Sequence, residues 1–428
     1  MRIVLVNHYA GSPRYGMEFR PYYLARAWRA AGHEPIIVAA SHSHLRNENP
    51  LVAGARSVEM IDGVEYRWLR TPPYRGNGVG RMINMVTFLA RLRRELRRIG
   101  REGPVDAVIA SSTYPLDYGP CERCAQATGA ALLFEVHDLW PLSPMELGGY
   151  RAGHPYIRLL QRAEDRYCRT ADRVVSILPK TLTHLVGRGL DPHRFRHLPN
   201  GVDGDAAMPE SASIPAELAA WLGRERAAGR FCVGYAGAIS SAYALGTLIE
   251  AAAALEAEGF SFLLLGSGRS QDELQADVAR RGLAHVHFAG RHPREAALAT
   301  LAAVDAIWVG LRNEPLFRFG IGMNKIFDAM LAGRPVVGSY TAGNDPIGDA
   351  DCGITVPAEN TEALVGALSR MRSFAPADRE RLGRNGRAFV LREHDYSAIA
   401  ARFVETIREA KADPNPNRPV GRRGSRHG

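Results

Sequence analysis

The sequence predicts an α/β protein of two doubly wound domains that face each other across a cleft. The chain has 428 residues, which is too long for one ordinary hydrophobic core and favours two domains. Short apolar stretches alternate with amphipathic ones in both halves, a pattern typical of parallel sheets with helices on both faces. Several apolar stretches end in glycine loops, and doubly wound domains bind ligands at that edge of the sheet.

In the first half, short apolar runs predict strands, and stretches with apolar residues at helical spacing predict helices. The predicted strands are 3–7, 35–39, 64–69, 107–111, 132–136, 173–178 and 195–198, and the predicted helices are 19–31, 81–99, 116–128, 157–170 and 181–187. A polar stretch at 203–224, which contains prolines and glutamates, predicts the joint between the domains.

The second half repeats this alternation. Its predicted strands are 231–235, 261–265, 286–288, 306–309 and 335–338, and its predicted helices are 245–257, 271–280, 295–303, 324–332 and 361–371. We therefore predict an N-terminal domain at 1–205 and a C-terminal domain at 206–395. Residues 413–428 are rich in proline, glycine and arginine, which predicts a disordered basic tail.

The composition is that of a folded soluble protein, with 46% hydrophobic and 23% charged residues. No apolar run reaches the length of a membrane span, and the amino terminus lacks the features of a signal peptide, so we predict a cytoplasmic protein. Of five scattered cysteines, Cys121 and Cys124 form a CxxC pair without a second pair, so no metal site is predicted. The net charge of +9 indicates an anionic partner: nucleic acid, an anionic bilayer or a phosphate-bearing substrate.

The most informative stretch is 320–337, which reads GIGMNKIFDAMLAGRPVV. Glycines, among them Gly322, lead into a helix that begins at Asn324. The free N–H groups and the positive dipole end of a helix start bind anions, and Lys325 adds a positive charge there. Asp328 follows on the same helix face, within reach of a ribose diol. The stretch predicts a site for a nucleoside diphosphate; a solvated charged pair on an amphipathic helix is the alternative.

This stretch resembles the donor-binding helix of the family 4 retaining glycosyltransferases, which have the GT-B fold of two Rossmann-like domains. The shared features are Asn324-Lys325, Phe327 before the acid Asp328, an alanine-methionine run and a Gly-x-Pro-Val end. The family usually has glutamate at the place of Asp328, and many members have another at the place of Gly320. The subgroup that transfers amino sugars to lipid-linked acceptors, as in polysaccharide or O-antigen assembly, often lacks the second glutamate too.

The resemblance implies transfer of a hexose or amino sugar, with retention, from a nucleoside-diphosphate sugar to a glycan or lipid-linked acceptor. UDP is the carrier we expect. The C-terminal domain would bind this co-substrate, and the N-terminal domain would lie on the acceptor side. No separate cofactor or metal is implied, because the helix dipole and the lysine replace the metal. In GT-B proteins the last helix crosses back onto the first domain, and residues 396–410 match that helix.

Carried over residue by residue, the resemblance assigns Asp328 to the ribose hydroxyls of the donor. Lys325 and the N–H groups of Asn324 and Gly16 would hold the diphosphate and stabilise the leaving charge, an electrostatic contribution that often dominates catalysis. Gly16 matches the family's glycine in the first strand-to-helix loop. His137 would assist at the transferred sugar.

Three further candidates follow strands of the second half. Gly237 and Gly268 end two predicted strands, so their backbones are candidate contacts to the donor, although glycine after a strand is common in α/β proteins. Arg291 follows a third strand and by resemblance contacts the base or a phosphate; a surface arginine is the alternative. The arginine and lysine that many family members carry after the first loop are missing from 238–245, which leaves more of the phosphate charge to Lys325.

His137 lies between Glu135 and Asp138 at the end of a predicted strand. Neighbouring residues of a strand point to opposite faces, so His137 and Asp138 are not expected to reach one atom, and we assign His137 to the cleft. Its imidazole can donate a hydrogen bond or carry positive charge near a leaving phosphate. A structural histidine bonded to a nearby carbonyl is the alternative.

Residues 81–101 predict a basic amphipathic helix. Its predicted apolar stripe comprises Met82, Met85, Val86, Leu89, Leu92, Leu96 and Ile99, with arginines on the other face. Such a helix suits an anionic membrane surface, which would make the protein peripheral at the inner face of a membrane, and it also suits packing on the first sheet with solvated arginines. No nucleic-acid recognition module is present, so nucleic acid is not a predicted partner.

Two other functions remain open from the sequence. A sugar-nucleotide 2-epimerase of similar architecture would need carboxylates and histidines around the sugar, and no clear set is present. A non-catalytic nucleotide-sugar-binding protein would tolerate Gly320, where many transferases have glutamate. Hydrolysis of a UDP-sugar would distinguish an enzyme from such a binding protein.

Overall fold

The computed structural model describes residues 1–76, 78–204 and 213–419. The chain divides into two compact units, each with its own sheet. The N-terminal unit comprises Met1–Asn200 and Tyr396–Gly428, and the C-terminal unit comprises Gly201–Asp395.

The N-terminal unit is built on a sheet of eight strands. They are β1 (Arg2–Val6), β2 (Glu34–Ala40), β3 (Arg56–Ile61), β4 (Val64–Leu69), β5 (Ala107–Ala110), β6 (Ala131–Val136), β7 (Arg173–Ser176) and β8 (Phe195–His197). The helices between them are α1 (Arg20–Ala30), α2 (Val79–Glu102), α3 (Tyr118–Thr128), α4 (Leu142–Glu146), α5 (Pro155–Thr170) and α6 (Leu182–Gly187). The strand order is β3-β4-β2-β1-β5-β6-β7-β8, and only the β3–β4 pair is antiparallel.

Burial on both faces explains why the central strands are apolar throughout. In β1, the four residues Ile3 to Val6 are all fully buried. In the parallel register Ile3 lies between Pro35 of β2 and Ala107 of β5, so its side chain packs among neighbours from both strands. Fully burying an aliphatic side chain contributes about 1.5–3 kcal/mol, which makes such a strand a strong determinant of the sheet.

The C-terminal unit contains a second, smaller sheet. Its strands are β9 (Phe231–Ala236), β10 (Phe260–Leu265), β11 (Val286–Gly290), β12 (Ala306–Gly310), β13 (Val336–Ser339) and β14 (Gly353–Val356). Its helices are α7 (Ala216–Ala227), α8 (Leu245–Ala254), α9 (Gln271–Arg281), α10 (Arg294–Leu301), α11 (Asn324–Leu331), α12 (Pro346–Asp349), α13 (Thr361–Ser373) and α14 (Pro376–Glu393).

All strands of this sheet are parallel, in the order β11-β10-β9-β12-β13-β14. In order of appearance this is 3-2-1-4-5-6, the strand order of the Rossmann fold. The order reverses between β9 and β12, and such sheets bind ligands beyond the carboxyl ends of the strands at that point. The predicted fold class of two doubly wound α/β domains is confirmed.

The last helix, α15 (Tyr396–Ala412), packs on α1 of the N-terminal unit. The ring of Tyr396 stacks on Tyr23 at 5.0 Å, and Trp28 donates a 3.1 Å hydrogen bond from its indole nitrogen to the carbonyl of Ala400. Phe403 lies edge-on to the same tryptophan. These contacts bury Trp28 completely and Tyr23 in part.

Residues 413–419, which follow α15, make specific contacts, although the sequence predicted a disordered tail there. The backbone N–H of Asn415 donates to Asp172 at 2.7 Å, and the guanidinium of Arg418 also contacts Asp172. The buried carboxylate of Asp172 thus fixes a segment whose composition alone predicts disorder. Residues 420–428 of the predicted tail lie outside the described residues.

Two other predictions need correction. Part of the predicted joint at 203–224 is helix α7, because Leu218, Trp221 and Leu222 are buried in the core of the C-terminal unit. In α2, Met82 and Val86 do not belong to the packed stripe: they are 52% and 61% exposed, while later apolar residues of the helix are buried. Within the described residues, no helix is both long enough and apolar enough to cross a membrane.

Candidate functional site

The C-terminal unit has a cavity of about 400 Å³ at the reversal point of its sheet. The ends of β9, β10 and β12 contribute backbone and apolar side chains, and α11 contributes charged ones. The lining includes Tyr235, Gly237, Gly266, Ser267, Arg291, His292, Arg294, Trp308, Lys325 and Asp328. Four predicted site residues, Gly237, Arg291, Lys325 and Asp328, therefore line one cavity.

Lys325 lines this cavity together with Arg291 and Arg294, and all of its own described contacts are neutral. Its Nζ donates to the hydroxyl of Tyr235 at 2.7 Å and lies 3.4 Å from the carbonyl oxygen of Ala238. The ammonium also lies 3.0 Å from the ring centroid of Tyr243, a cation–π arrangement. Desolvation lowers the pKa of Lys325 to about 7, because no carboxylate offsets the cost of holding its charge.

Gly237 provides the room for this lysine. Its φ is 150°, and a Cβ at this position would collide with the end of the Lys325 side chain. The N–H of Gly237 is already bonded to the carbonyl of Leu265 at 2.9 Å, so it continues the sheet ladder. Gly237 also permits the close approach of the lysine, and its predicted backbone contact to the donor stays a prediction.

Gly268 does not line the cavity; Gly266 and Ser267 lie there instead. A Cβ on Gly268 would collide with the backbone of Ile239, so this glycine permits two loops to pack together. Gly266 and Gly268 flank Ser267 in the sequence, and the spacing did not show which of the two glycines would line the cavity.

The start of α11 has unsatisfied polar groups. The helix begins at Asn324 after Met323, and no side chain caps it, so donors of its first turn are available to a ligand. The Oδ1 atom of Asn324 is buried and has no hydrogen-bond partner among the described residues. Gly322 and Asn324 precede the cavity-lining residues of the helix and do not themselves line the cavity.

Asp328 is held by an arginine that the sequence motifs did not identify. Arg294, the first residue of α10, donates from its guanidinium to Asp328 Oδ1 at 2.6 Å. Both side chains are about one-third exposed, at 34% and 32%. Arg291 and His292 lie near them at the end of β11, where the imidazole of His292 is bonded to the carbonyl of Ala289. Arg294 lies four residues beyond the end of β11, where no sequence motif marks it as a site residue.

The N-terminal unit has a cavity of its own, of about 250 Å³, at the carboxyl edge of its sheet. It is lined by Asn7, Tyr9, Glu18, Leu45, Thr113, His137, Asp138, Ile177 and Asn200. His137 is held by its Nε2 atom, which lies 2.9 Å from Ser111 Oγ and 3.0 Å from Glu135 Oε2. The partner of His137 is thus a buried carboxylate rather than a backbone carbonyl.

Behind His137 lies a fully buried ion pair. Arg20 and Glu135 are both completely buried, and the guanidinium donates to Glu135 Oε1 from Nε at 3.0 Å and from a terminal nitrogen at 2.9 Å. Ser111 donates to the other carboxylate oxygen at 2.6 Å. Burial opposes ionisation of Glu135, but the charge of Arg20 and then that of His137 outweigh it and hold the pKa of this carboxyl well below its usual range.

Asp138 lines the same cavity as His137, contrary to the argument from strand alternation. Strand β6 ends at Val136, so neither residue has strand geometry and both side chains reach one side. Asp138 accepts from its neighbour's N–H, at Leu139, and from Ser143, and burial raises its pKa.

Gly16 does not offer a free N–H to a phosphate. Its N–H donates to Ser12 at 2.7 Å and its carbonyl accepts from the same residue at 3.0 Å. Its φ is 97°, and a Cβ there would come within 2.9 Å of the backbone of Asn47. The glycine is therefore required by the loop's own geometry, and it does not line the cavity with His137.

No group of three or more His, Cys, Asp or Glu side chains is arranged to hold a metal ion in the part of the chain that the structure describes. The five cysteines, including Cys121 and Cys124, are buried and free.

Comparison with known families identifies both units. Residues 15–201 match the family of the glycosyl transferase 4-like domain, and residues 230–373 match the glycosyl transferases group 1. The first match falls in the N-terminal unit, except for its last residue, and the second falls entirely in the C-terminal unit.

Two characterised relatives are glycosyltransferases. A D-rhamnosyltransferase of Pseudomonas aeruginosa is 27% identical over 236 residues, which are 54% of this chain and 58% of the relative, so this match covers little more than half of that protein. A 2-deoxystreptamine glucosyltransferase of Streptomyces kanamyceticus is 25% identical over 333 residues, which are 75% of this chain and 82% of the relative.

Solved structures show the same fold along nearly the whole chain. Sucrose-phosphate synthase of Thermosynechococcus elongatus has a TM-score of 0.68 at 19% identity, over 96% of this chain and 99% of that one. HepE of Anabaena, in complex with UDP, has a TM-score of 0.65 at 16% identity, over 95% and 100%. Both units thus match glycosyltransferase families in succession, so the chain is similar to glycosyltransferases in both units and has the two Rossmann-like domains of the GT-B fold.

Proposed function

We propose that this protein transfers a hexose or amino sugar from a UDP-sugar to an acceptor. The observation that carries the proposal is Lys325, a partly buried cation with only neutral partners. It lies beside an uncapped helix start at the reversal point of a Rossmann-like sheet. A diphosphate would supply the anion that this arrangement lacks, and the first-turn N–H groups would share its charge.

The roles in the proposed donor site follow from the positions of the residues in the cavity and, for Asn324, from its place at the start of α11. Lys325 and the N–H of Asn324 bind the diphosphate and stabilise the charge that develops as the sugar leaves. Asp328, held by Arg294, accepts from the ribose hydroxyls. Arg291, at the same cavity, contacts the base or a phosphate. No step in this scheme requires a metal-bound intermediate.

His137 is proposed to contact the transferred sugar from the N-terminal unit. Its Nε2 is bonded to Glu135 and Ser111, so these residues fix the orientation of the imidazole. Gly16 contributes through the shape of its loop. Retention at the anomeric carbon is proposed from the resemblance to the family 4 enzymes.

The choice of sugar and carrier is supported by named relatives. The two characterised relatives are named for rhamnosyl and glucosyl transfer, both of which are hexosyl groups in the broad sense. HepE has been crystallised with UDP and with UDP-glucose. We also propose that the acceptor is lipid-linked and belongs to polysaccharide assembly. The protein would associate with an anionic membrane through α2.

A thermal-shift and turnover panel tests the donor. We expect UDP and UDP-hexoses to raise the unfolding temperature more than ADP or GDP, and we expect slow release of UDP from one UDP-sugar in the absence of acceptor. Lys325→Ala should abolish both effects, whereas Lys180→Ala, which removes an exposed lysine of the other unit, should leave them intact. Binding without any release or transfer would favour the non-catalytic binding protein.

Association with membranes is tested separately from catalysis. The outward side of α2 exposes Val79, Met82, Ile83 and Val86 in its first half and arginines in its second. Each cation near an anionic surface contributes about 1 kcal/mol, and salt screens that attraction. We expect co-sedimentation with anionic vesicles that decreases as salt rises. Absence of co-sedimentation at low salt would reject the peripheral location.

A further inference from the structure

A cavity of about 300 Å³ lies between α2 and α3 of the N-terminal unit, away from the sheet edge that carries His137. This volume is at the lower end of the range of about 300–1,000 Å³ for small-molecule sites. Its charged lining consists of four arginines and no acid: Arg93, Arg97, Arg101 and Arg123. We call this cavity the arginine groove.

The floor of the arginine groove is apolar and closely packed. Leu96 of α2 and Cys124 of α3 are buried there, and the thiol of Cys124 lies 3.7 Å from the carbonyl of Leu96. A Cβ on Gly100 would come within 2.9 Å of the methyl group of Thr128, so glycine allows the helices to approach. The groove is therefore a defined concavity between two packed helices, and its arginines form the rim.

The positive charges of the groove are not offset within the described part of the chain, where none of the four arginines has an ion-pair partner. Glu122, the acid next to Arg123 in sequence, is engaged by Arg166 and by the hydroxyl of Thr170. Desolvation, followed by the positive charges of Arg93 and Arg166, lowers the pKa of Arg123, with Glu122 opposing. The arginines thus lie close enough to repel one another.

The neighbouring surface of α2 shows how the same helix offsets positive charge elsewhere. Arg94 and Arg98 line a different cavity, which also contains Glu95. The carboxylate of Glu95 is 2.9 Å from Arg67 and 3.5 Å from Arg56. Of the groove arginines, Arg101 also borders that second cavity with its acid, whereas Arg93, Arg97 and Arg123 do not.

We propose that the arginine groove binds the phosphate group of an anionic ligand, supplied by a phospholipid head group or by a free phosphate or diphosphate. The planar guanidinium group donates two parallel hydrogen bonds to phosphate oxygens, and several such groups around one concavity favour a multiply bonded anion. The apolar floor accommodates the carbon portion of the ligand. This site is separate from the donor cavity, and the proposal does not depend on the proposed transferase reaction.

The test compares two double variants of α2 that remove the same charge. The first double variant, Arg93→Ala with Arg97→Ala, removes two of the four arginines of the groove rim. The control double variant, Arg94→Ala with Arg98→Ala, removes two exposed arginines that line the other cavity. Both are made in the Lys325→Ala background, so that the donor cavity does not contribute to binding. Circular dichroism and the unfolding temperature establish that both variants fold.

Binding is measured with inorganic pyrophosphate by calorimetry and with phosphatidylglycerol and phosphatidylcholine vesicles by co-sedimentation. We expect the groove variant to bind pyrophosphate, the phosphatidylglycerol vesicles or both at least tenfold more weakly than the control variant. Loss for pyrophosphate identifies a free phosphate ligand, and loss for the anionic vesicles alone identifies a lipid head group. Equal losses in the two variants, or no binding in either assay, would overturn the proposal.

Discussion

The cavities at the two sheet edges differ in whether their buried charges are neutralised by neighbouring side chains. In the N-terminal unit, Arg20 and Glu135 neutralise each other, and Ser111 and His137 take the remaining carboxylate oxygen. In the C-terminal unit, the described contacts of the Lys325 ammonium are a phenol, a carbonyl and two aromatic rings, all of them neutral. A neutralised cluster stabilises a fixed arrangement of side chains, whereas a cation without a counter-ion favours an anion from outside. This difference supports the proposal that the cavity with Lys325 binds an anion and that the N-terminal cluster fixes the orientation of His137.

The largest expected effect is the loss of unfolding free energy when the buried Arg20–Glu135 pair of the N-terminal unit is broken. Glu135→Gln leaves the fully buried Arg20 without a counter-charge, and breaking a buried pair in this way costs about 3–5 kcal/mol of unfolding free energy. Urea unfolding measures the loss. The exposed pair Glu405–Arg408 provides the control, because Glu405→Gln should cost less than about 1 kcal/mol. Similar losses in the two variants would mean that Arg20 finds other compensation.

The next largest effect concerns the cation without a counter-ion. Lys325→Ala should weaken UDP binding by about one to two orders of magnitude, because a charge-assisted hydrogen bond contributes about 1.5–3 kcal/mol. The same change should leave the folded state intact or stabilise it, since it removes a charge held in a poorly solvated place. Calorimetry with UDP measures the affinity, with Lys180→Ala as the control. Unchanged affinity would remove Lys325 from the donor site.

The pH dependence of UDP affinity tests, in the unmodified protein, whether the ammonium of Lys325 binds the diphosphate. Free Lys325, with a pKa of about 7, loses its proton as the pH rises above 7, whereas a bound diphosphate would keep the lysine protonated. Binding above pH 7 would then take up a proton, so affinity should decrease with rising pH, by up to about tenfold per unit. Calorimetry from pH 7 to pH 9 measures this slope.

The Lys325→Ala variant is the control for that slope, because it has no ammonium to titrate. Its weaker affinity should vary little over the same range of pH. A slope of equal size in the variant would assign the titration to another group.

The smallest effect concerns Asp328, which has a partner before any ligand arrives. Asp328→Asn keeps a hydrogen-bond acceptor but loses the charge and the ion pair with Arg294, so UDP affinity should fall by about threefold to tenfold. Affinity for 2′,3′-dideoxy-UDP, which lacks the ribose diol, should not change. Calorimetry with the two nucleotides provides the comparison. Equal losses for both would show that Asp328 does not contact the diol.

The sequence by itself determined the two doubly wound domains and indicated the place where we propose an anion site. Buried parallel strands are nearly continuous apolar runs, so β1 and β10 could be recognised without knowledge of their partners. The start of α11 was equally clear, because a helix start with a nearby lysine binds anions through local geometry. Asp328 followed from helical periodicity, since one helix turn places it on the same face as Lys325.

Only the tertiary structure decided which distant groups accompany these residues. Arg294 reaches Asp328 from another helix, and Glu135 meets Arg20 across 115 positions of sequence. Gly237 is required by the side chain of Lys325, and Gly16 by the turn of its own loop, although both positions read simply as glycines after strands. Periodicity and capping act over a few residues, whereas neutralisation and steric clearance depend on which chain segments the completed sheets bring together.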